Sequence, residues 1–251
     1  MLDVQTDGPV LTLTLNRPER RNAMSDDLLA RIDAALSGTP EGVKVAVIRG
    51  AGGHFCSGLD LSEHVARRDA EGVMRHSRGW HAVLDRVQYA GLPVVAAMTG
   101  AVIGGGLELA TACHVRVADP TAFYQLPEGR RGIFVGGGAT VRVGRILGPD
   151  RMTEMMLTGR RYGAEEGQRL GLSHELTDDA WTRADELARD IAGNAPLSNF
   201  LMIQALPRIG DMGRGDGLFT ESLCAALAQT SPEAIEGLEA FLQKRAPRFG
   251  D

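Results

Sequence analysis

Two apolar runs, Val43-Lys44-Val45-Ala46-Val47-Ile48 and Pro93-Val94-Val95-Ala96-Ala97-Met98, each lead straight into a glycine-rich turn. The turns, Gly50 to Gly58 and Gly100 to Gly106, precede stretches that can be helical, so strand and helix alternate along the chain. That alternation predicts an α/β fold. Ahead of it, Val10-Leu11-Thr12-Leu13-Thr14-Leu15 alternates strictly until Asn16-Arg17-Pro18, the mark of a half-buried strand, and the chain is expected to open with a β-hairpin. Ser25 then stands as an N-cap, and Leu28, Leu29, Ile32, Ala35 and Leu36 recur at helical spacing as far as about Gly38. A third short strand is predicted at His114-Val115-Arg116-Val117.

From Asp178 onward strand signals vanish, and amphipathic helices are predicted at about 178–192, 196–209, 215–229 and 231–244. Gly193-Asn194-Ala195-Pro196 is the natural boundary, dividing the chain into 1–195 and a helical region over 196–251.

Gly104-Gly105-Gly106-Leu107-Glu108 opens a helix directly after a strand. Glycine lets ligand atoms approach the backbone, and the unpaired N–H groups of a helix N-terminus attract negative charge. The cluster is not a dinucleotide fingerprint, because Leu109 stands where G-x-G-x-x-G needs its last glycine. It is not a P-loop, because no Gly-Lys-Ser/Thr follows. Nor is Ser57 a nucleophile elbow, since Phe55 occupies the first glycine of G-x-S-x-G. Taken singly, each glycine turn reads as tight packing and nothing more.

Composition removes other classes. The charge balance, 27 basic against 32 acidic residues, is −5, and the basic residues are scattered apart from short pairs such as Arg20-Arg21, Arg67-Arg68 and Arg130-Arg131, so no nucleic-acid footprint is expected. Cys56, Cys113 and Cys224 are far apart and form no C-x-x-C pair, which argues against a disulfide framework or a zinc cage. The six histidines, His54, His64, His76, His81, His114 and His174, show no metal-ligand spacing and read as surface or satisfied core residues. With no basic and apolar leader at Met1 to Asp7 and no apolar run near the ~20 residues of a membrane span, a cytoplasmic location and no membrane partner are expected.

Together the turns match something specific. Phe55-Cys56-Ser57-Gly58-Leu59-Asp60-Leu61, then Gly104-Gly105-Gly106-Leu107-Glu108-Leu109-Ala110, then Pro127-Glu128 with Gly132 and Gly136-Gly137-Gly138 behind it, resemble the crotonase or enoyl-CoA hydratase/isomerase family. The resemblance begins at Asn16-Arg17-Pro18-Glu19-Arg20-Arg21-Asn22-Ala23-Met24 and ends at Lys244-Arg245-Ala246-Pro247-Arg248-Phe249, nearly the whole chain. It implies a spiral of repeated ββα units over 1–195, and over 196–251 a helical region of trimerisation, often completed as a dimer of trimers.

The resemblance also implies a chemistry. The backbone amides of Leu59 and Gly105 would form an oxyanion hole for a thioester oxygen, and Glu108 and Glu128 would face one another across the acyl chain as acid–base partners. Ser57, Asp60, Leu61 and Lys244 would bind substrate or CoA. The implied reaction is hydration of a trans-2-enoyl-CoA to 3-hydroxyacyl-CoA, with CoA only as carrier of the substrate, no bound cofactor and no metal. Isomerases of the family commonly retain only the second glutamate, so the presence of both favours a hydratase. The alternatives are an enoyl-CoA double-bond isomerase working with Glu128 alone, and a non-catalytic acyl-CoA-binding protein. Cys56 is read as a packing residue. Arg130 and Arg131 depart from the apolar residues many relatives carry there. A guanidinium beside Glu128 would favour the ionised carboxylate, and both arginines are read as pointing to solvent or to a neighbouring subunit.

Overall fold

The structure, a computed structural model, describes residues 1–65 and 69–249; the Arg67-Arg68 pair lies outside the described residues. β1 (Leu2–Asp7) and β2 (Val10–Leu15) form the expected antiparallel hairpin, with Leu2 opposite Leu15. α1 (Asp26–Ser37) starts where Ser25 Oγ accepts the Leu28 amide at 3.2 Å. β3 (Val45–Gly50) begins two residues later than the apolar run, because Pro9 O takes the amides of Lys44 and Val45. There follow α2 (Leu61–His64), α3 (Ala70–Gln88), β4 (Val94–Met98), β5 (Ala101–Ile103), α4 (Gly105–Ala112), β6 (Val115–Ala118) and β7 (Phe123–Gln125). After a single 3₁₀ turn at Glu128–Arg131 come α5 (Ala139–Leu147), α6 (Pro149–Thr158), β8 (Tyr162–Gly163), α7 (Ala164–Arg169) and β9 (Glu175–Leu176). The chain closes with α8 (Ala180–Ala192), α9 (Pro196–Ile209), α10 (Arg214–Gln229) and α11 (Pro232–Leu242).

The large sheet runs β1-β2-β3-β4-β6-β9, parallel from β2 onward, and the small one runs β5-β7-β8. β3 and β4 are covered on both faces, which is why their sequences are nearly continuous apolar runs. Ala46, Ile48, Ala96 and Met98 face the main core under α1, α3 and α4. Val45, Val47, Val95 and Ala97 face the Ala180, Ala184, Ala188 and Ala192 stripe of α8, whose small side chains, four apart, make one helix face.

At Gly100 the chain turns from the large sheet into the small one, and at Gly104 from the small sheet into α4. The same passage repeats earlier, where Cys56, after β3, pairs with Val102 of β5. Each spiral turn therefore delivers a glycine-rich corner to the same end of the molecule. Among the described residues no helix is long and apolar enough to cross a membrane.

Candidate active site

The two corners touch. Gly58 (φ +94°) and Gly104 (φ +51°) adopt backbone that L side chains rarely enter, and a Cβ on Gly58 would stand 2.8 Å from Ile103 O and 3.2 Å from Gly105 N. Around Leu59 the chain is held by Met24 N donating to Gly58 O (2.8 Å) and Asp60 N donating to Met24 O (2.9 Å). The Gly104 amide goes to Gln125 O at 2.9 Å, and Gly105 is the first residue of α4. Among the described residues the amides of Leu59 and Gly105 have no hydrogen-bond partner, and both residues line a cavity of about 1000 Å³. Two such amides side by side can receive an oxygen that gains negative charge.

Glu108 lies in the first turn of α4, only 3% exposed, and its Oε1 accepts the amides of Gly137 (2.8 Å) and Ala139 (3.0 Å). Burial raises its pKa, and those two amides oppose the rise. Glu128, at the head of the 3₁₀ turn, hangs over the glycine corner: a Cβ on Gly104 would meet its Oε1 at 2.8 Å. Its Oε2 is buried with no partner among the described residues. Burial pushes Glu128 up to about 7; its own backbone amide opposes the rise, the Glu108 charge adds to it, and Arg131 opposes it more weakly. The guanidinium is where the sequence places it, yet burial wins. A carboxyl near 7 can both give and take a proton at neutral pH.

The expected site residues fall in different places. Ser57, Asp60 and Leu61 line the cavity. Ser57 Oγ donates to Arg20 O at 3.1 Å, while both Asp60 oxygens are engaged, Oδ2 by Arg17 (2.8 Å) and Oδ1 by Ser62 (2.6 Å). Lys244, exposed in left-handed backbone (φ 53°) after α11, does not line the cavity of its own chain. Cys56 is fully buried with its thiol pushed up to about 12, in keeping with packing.

One reading needs correction. Arg130 is occupied by the Thr158 carbonyl, but Arg131 lines the cavity rather than only facing solvent or a neighbour. His64 and His76 also line it, because α2 and the start of α3 form the wall opposite the glycine corners. Trp80, on α3, completes that wall, and no sequence motif pointed to it. The Gly136–Gly138 run was visible in sequence, but its use as the holder of Glu108 depends on contacts across 29 residues.

Residues 5–251 match the enoyl-CoA hydratase/isomerase family. A crystallised protein of Rhodopseudomonas palustris CGA009, described as a candidate enoyl-CoA hydratase, is 51% identical, superposes with a TM-score of 0.94, and covers 97% of this chain and 95% of its own. The 2,3-dehydroadipyl-CoA hydratase of Escherichia coli (strain K12) is 34% identical over 96% of this chain and 94% of its own. The peroxisomal Delta(3,5)-Delta(2,4)-dienoyl-CoA isomerase of Arabidopsis thaliana is 31% identical over 97% of this chain and 94% of its own.

Proposed function

The chain belongs to the enoyl-CoA hydratase/isomerase family, and from that premise we propose that it adds water across the 2,3 double bond of a trans-2-enoyl-CoA to give 3-hydroxyacyl-CoA. The observation that carries this reading is that two buried carboxylates, held by different elements, line the cavity into which the Leu59 and Gly105 amides also open. The thioester oxygen rests on those amides. As negative charge grows on it, each donor contributes roughly 2.7–4 kcal/mol to the transition state.

Glu108, oriented by two backbone donors that oppose the rise in its pKa, takes in its ionised form a proton from the water whose oxygen bonds to C3. Glu128, the carboxyl near 7, delivers a proton to C2. The two groups titrate as a coupled pair that shares protons between steps. CoA serves as the carrier of the acyl group, and the protein's own residues supply all the acid–base chemistry in this scheme.

A second reading has its own support: a carboxyl near 7 could carry a proton between C2 and C4 alone, and an isomerase is among the relatives. A panel of 2-enoyl and 3-enoyl thioesters, with products identified by mass, separates the two. Gain of one water by 2-enoyl substrates is expected. Consumption of 3-enoyl substrates without mass change, with 2-enoyl substrates left unhydrated, would move the assignment to the isomerase.

The same reading includes self-association as a trimer or a dimer of trimers. Leu206, Phe219, Leu223, Leu238 and Phe241, on α9 to α11, are all more than half exposed in the single chain, an apolar surface that a monomer rarely leaves in water.

A further inference from the structure

One edge of the Trp80 indole touches both halves of the site. A Cβ on Gly105 would stand 2.6 Å from Cζ3 and 2.8 Å from Cη2 of the ring, and a Cβ on Gly137 would stand 3.0 Å from Cε3. These are three consecutive atoms of the six-membered ring, so a single rigid edge spans from one glycine to the other. Gly105 carries an amide assigned above to the thioester oxygen. The Gly137 amide holds Glu108 Oε1 at 2.8 Å.

We propose that Trp80 is a positioning residue, a planar spacer that fixes the separation between the oxyanion amide of Gly105 and the carboxylate of Glu108; the proposal rests on the catalytic reading of those two groups. The acyl thioester sets the distance from its oxygen to C3. The protein must hold donor and base at that distance, and a displacement of about 1 Å costs on the order of 10²-fold in rate. A ring only 5% exposed, wedged between two turns, resists compression in a way that a flexible aliphatic chain does not. Its outer end is also held: Nε1 lies 3.2 Å from His76 Nε2, with the two rings edge to face at 6.1 Å. That same His76 nitrogen is 2.8 Å from Asp26 Oδ1, so it either accepts from the indole or donates to the carboxylate, and cannot do both.

The spacer role explains why position 105 is glycine although its φ is not positive; at Gly137 a Cβ would meet Glu108 Oε2 at 2.5 Å as well as the ring at 3.0 Å. Gly105 is helical, and alanine there would keep the N–H while driving its methyl into the ring. Trp80→Phe withdraws the Cε3–Cζ3–Cη2 edge that faces the two glycines and leaves an aromatic ring on α3. With folding and assembly first verified by thermal melting and sizing, Trp80→Phe is expected to lower kcat by about 10- to 10²-fold with KM changed less than about threefold. Gly105→Ala should lower kcat by a comparable factor through the collision. The double variant should recover kcat above that of Gly105→Ala alone, because the truncated ring admits the methyl, which is coupling and not addition.

A second readout does not depend on hydration. Acetoacetyl-CoA ionises to an enolate with its own ultraviolet absorbance, and an oxyanion hole in register stabilises that enolate. Wild-type protein should generate the signal, Trp80→Phe should weaken it, and the double variant should exceed Gly105→Ala. Folded Trp80→Phe with full kcat and full enolate signal, or a double variant whose losses simply multiply, would overturn the proposal. Wild-type protein that forms the enolate yet never hydrates an enoyl thioester would overturn the hydratase reading, while the enolate series would still decide the role of Trp80.

Discussion

The chain buries two of its charged side chains, Arg116 and Glu128, to the same depth and treats them in opposite ways. Arg116 on β6 is 7% exposed, as is Glu128. Every arm of Arg116 is used: Nε donates to Leu172 O (2.9 Å), Nη1 to Cys113 O (3.2 Å) and Nη2 to Gly171 O (3.1 Å), while its backbone amide goes to His174 Nδ1 (3.0 Å). This guanidinium stitches β6 to the loop before β9. Glu128, by contrast, keeps one buried oxygen without a partner among the described residues and feels the charge of a second carboxylate, Glu108. Buried polar atoms are normally satisfied, so depth alone does not mark a functional group; what sets Glu128 apart is an open valence on a side chain that lines the cavity. The Arg116 cluster spends its hydrogen bonds on the scaffold. The glutamate pair holds capacity in reserve for a ligand.

The largest test of that contrast removes acid–base capacity without removing shape. Glu108→Gln and Glu128→Gln should each lower hydration by a factor of about 10² or more, since each deletes one proton-transfer partner, with both variants folding normally. Hydration unchanged in a folded Glu108→Gln protein would end the two-carboxylate scheme. The complementary change is Arg116→Met, which strands three carbonyls in the interior. It should cost about 3 kcal/mol of stability in urea unfolding and leave turnover per folded molecule intact. A loss of turnover in folded Arg116→Met protein would erase the distinction between the two clusters.

How much of this was readable in the chain follows from the range of the interactions. β3 and β4 announced themselves because strands buried on both faces are apolar throughout. β5, β7, β8 and β9 carried no signal, since two or three residues cannot display a period and are strands only by virtue of their neighbours. Glu108, Glu128 and the glycine corners were legible because close backbone approach and a fixed carboxylate leave few residue types to choose from. Trp80 was not, because its partners Gly105 and Gly137 lie 25 and 57 positions away and an aromatic on a helix stripe looks like core. The loop carbonyls that satisfy Arg116 are equally silent in sequence, for any residue supplies a carbonyl. Arg131 was legible as a charge beside Glu128, but only the burial of the carboxyl decided which effect prevails.

The smallest and most discriminating consequence is a pair of pH dependences with opposite sign. Glu128 is raised from 4.5 to about 7, so the folded state binds its proton more tightly, and the stability this gives at low pH is lost as pH climbs through about 7. Gln at that position carries no such penalty. Glu128→Gln should therefore stabilise the protein by roughly 1–3 kcal/mol at pH 8, with the gain shrinking toward zero near pH 5. His174 is lowered from 6.5 to about 4, chiefly by burial and then by the Arg116 charge, so its neutral form is the folded one. Between about 6.5 and 4 the unfolded chain takes up a proton that the folded chain refuses, and stability falls as pH falls. Relative to wild type, His174→Gln should look better at pH 5 than at pH 8, by no more than about 1 kcal/mol because the ring is exposed and water screens the Arg116 charge, after allowance for the constant cost of the lost Nδ1 acceptor. Urea unfolding of the two variants at both pH values is sufficient, provided the unfolding is reversible. Parallel pH trends in the two variants would mean that the carboxylate and the imidazole share one electrostatic environment, and the functional and structural clusters would no longer be separable by charge.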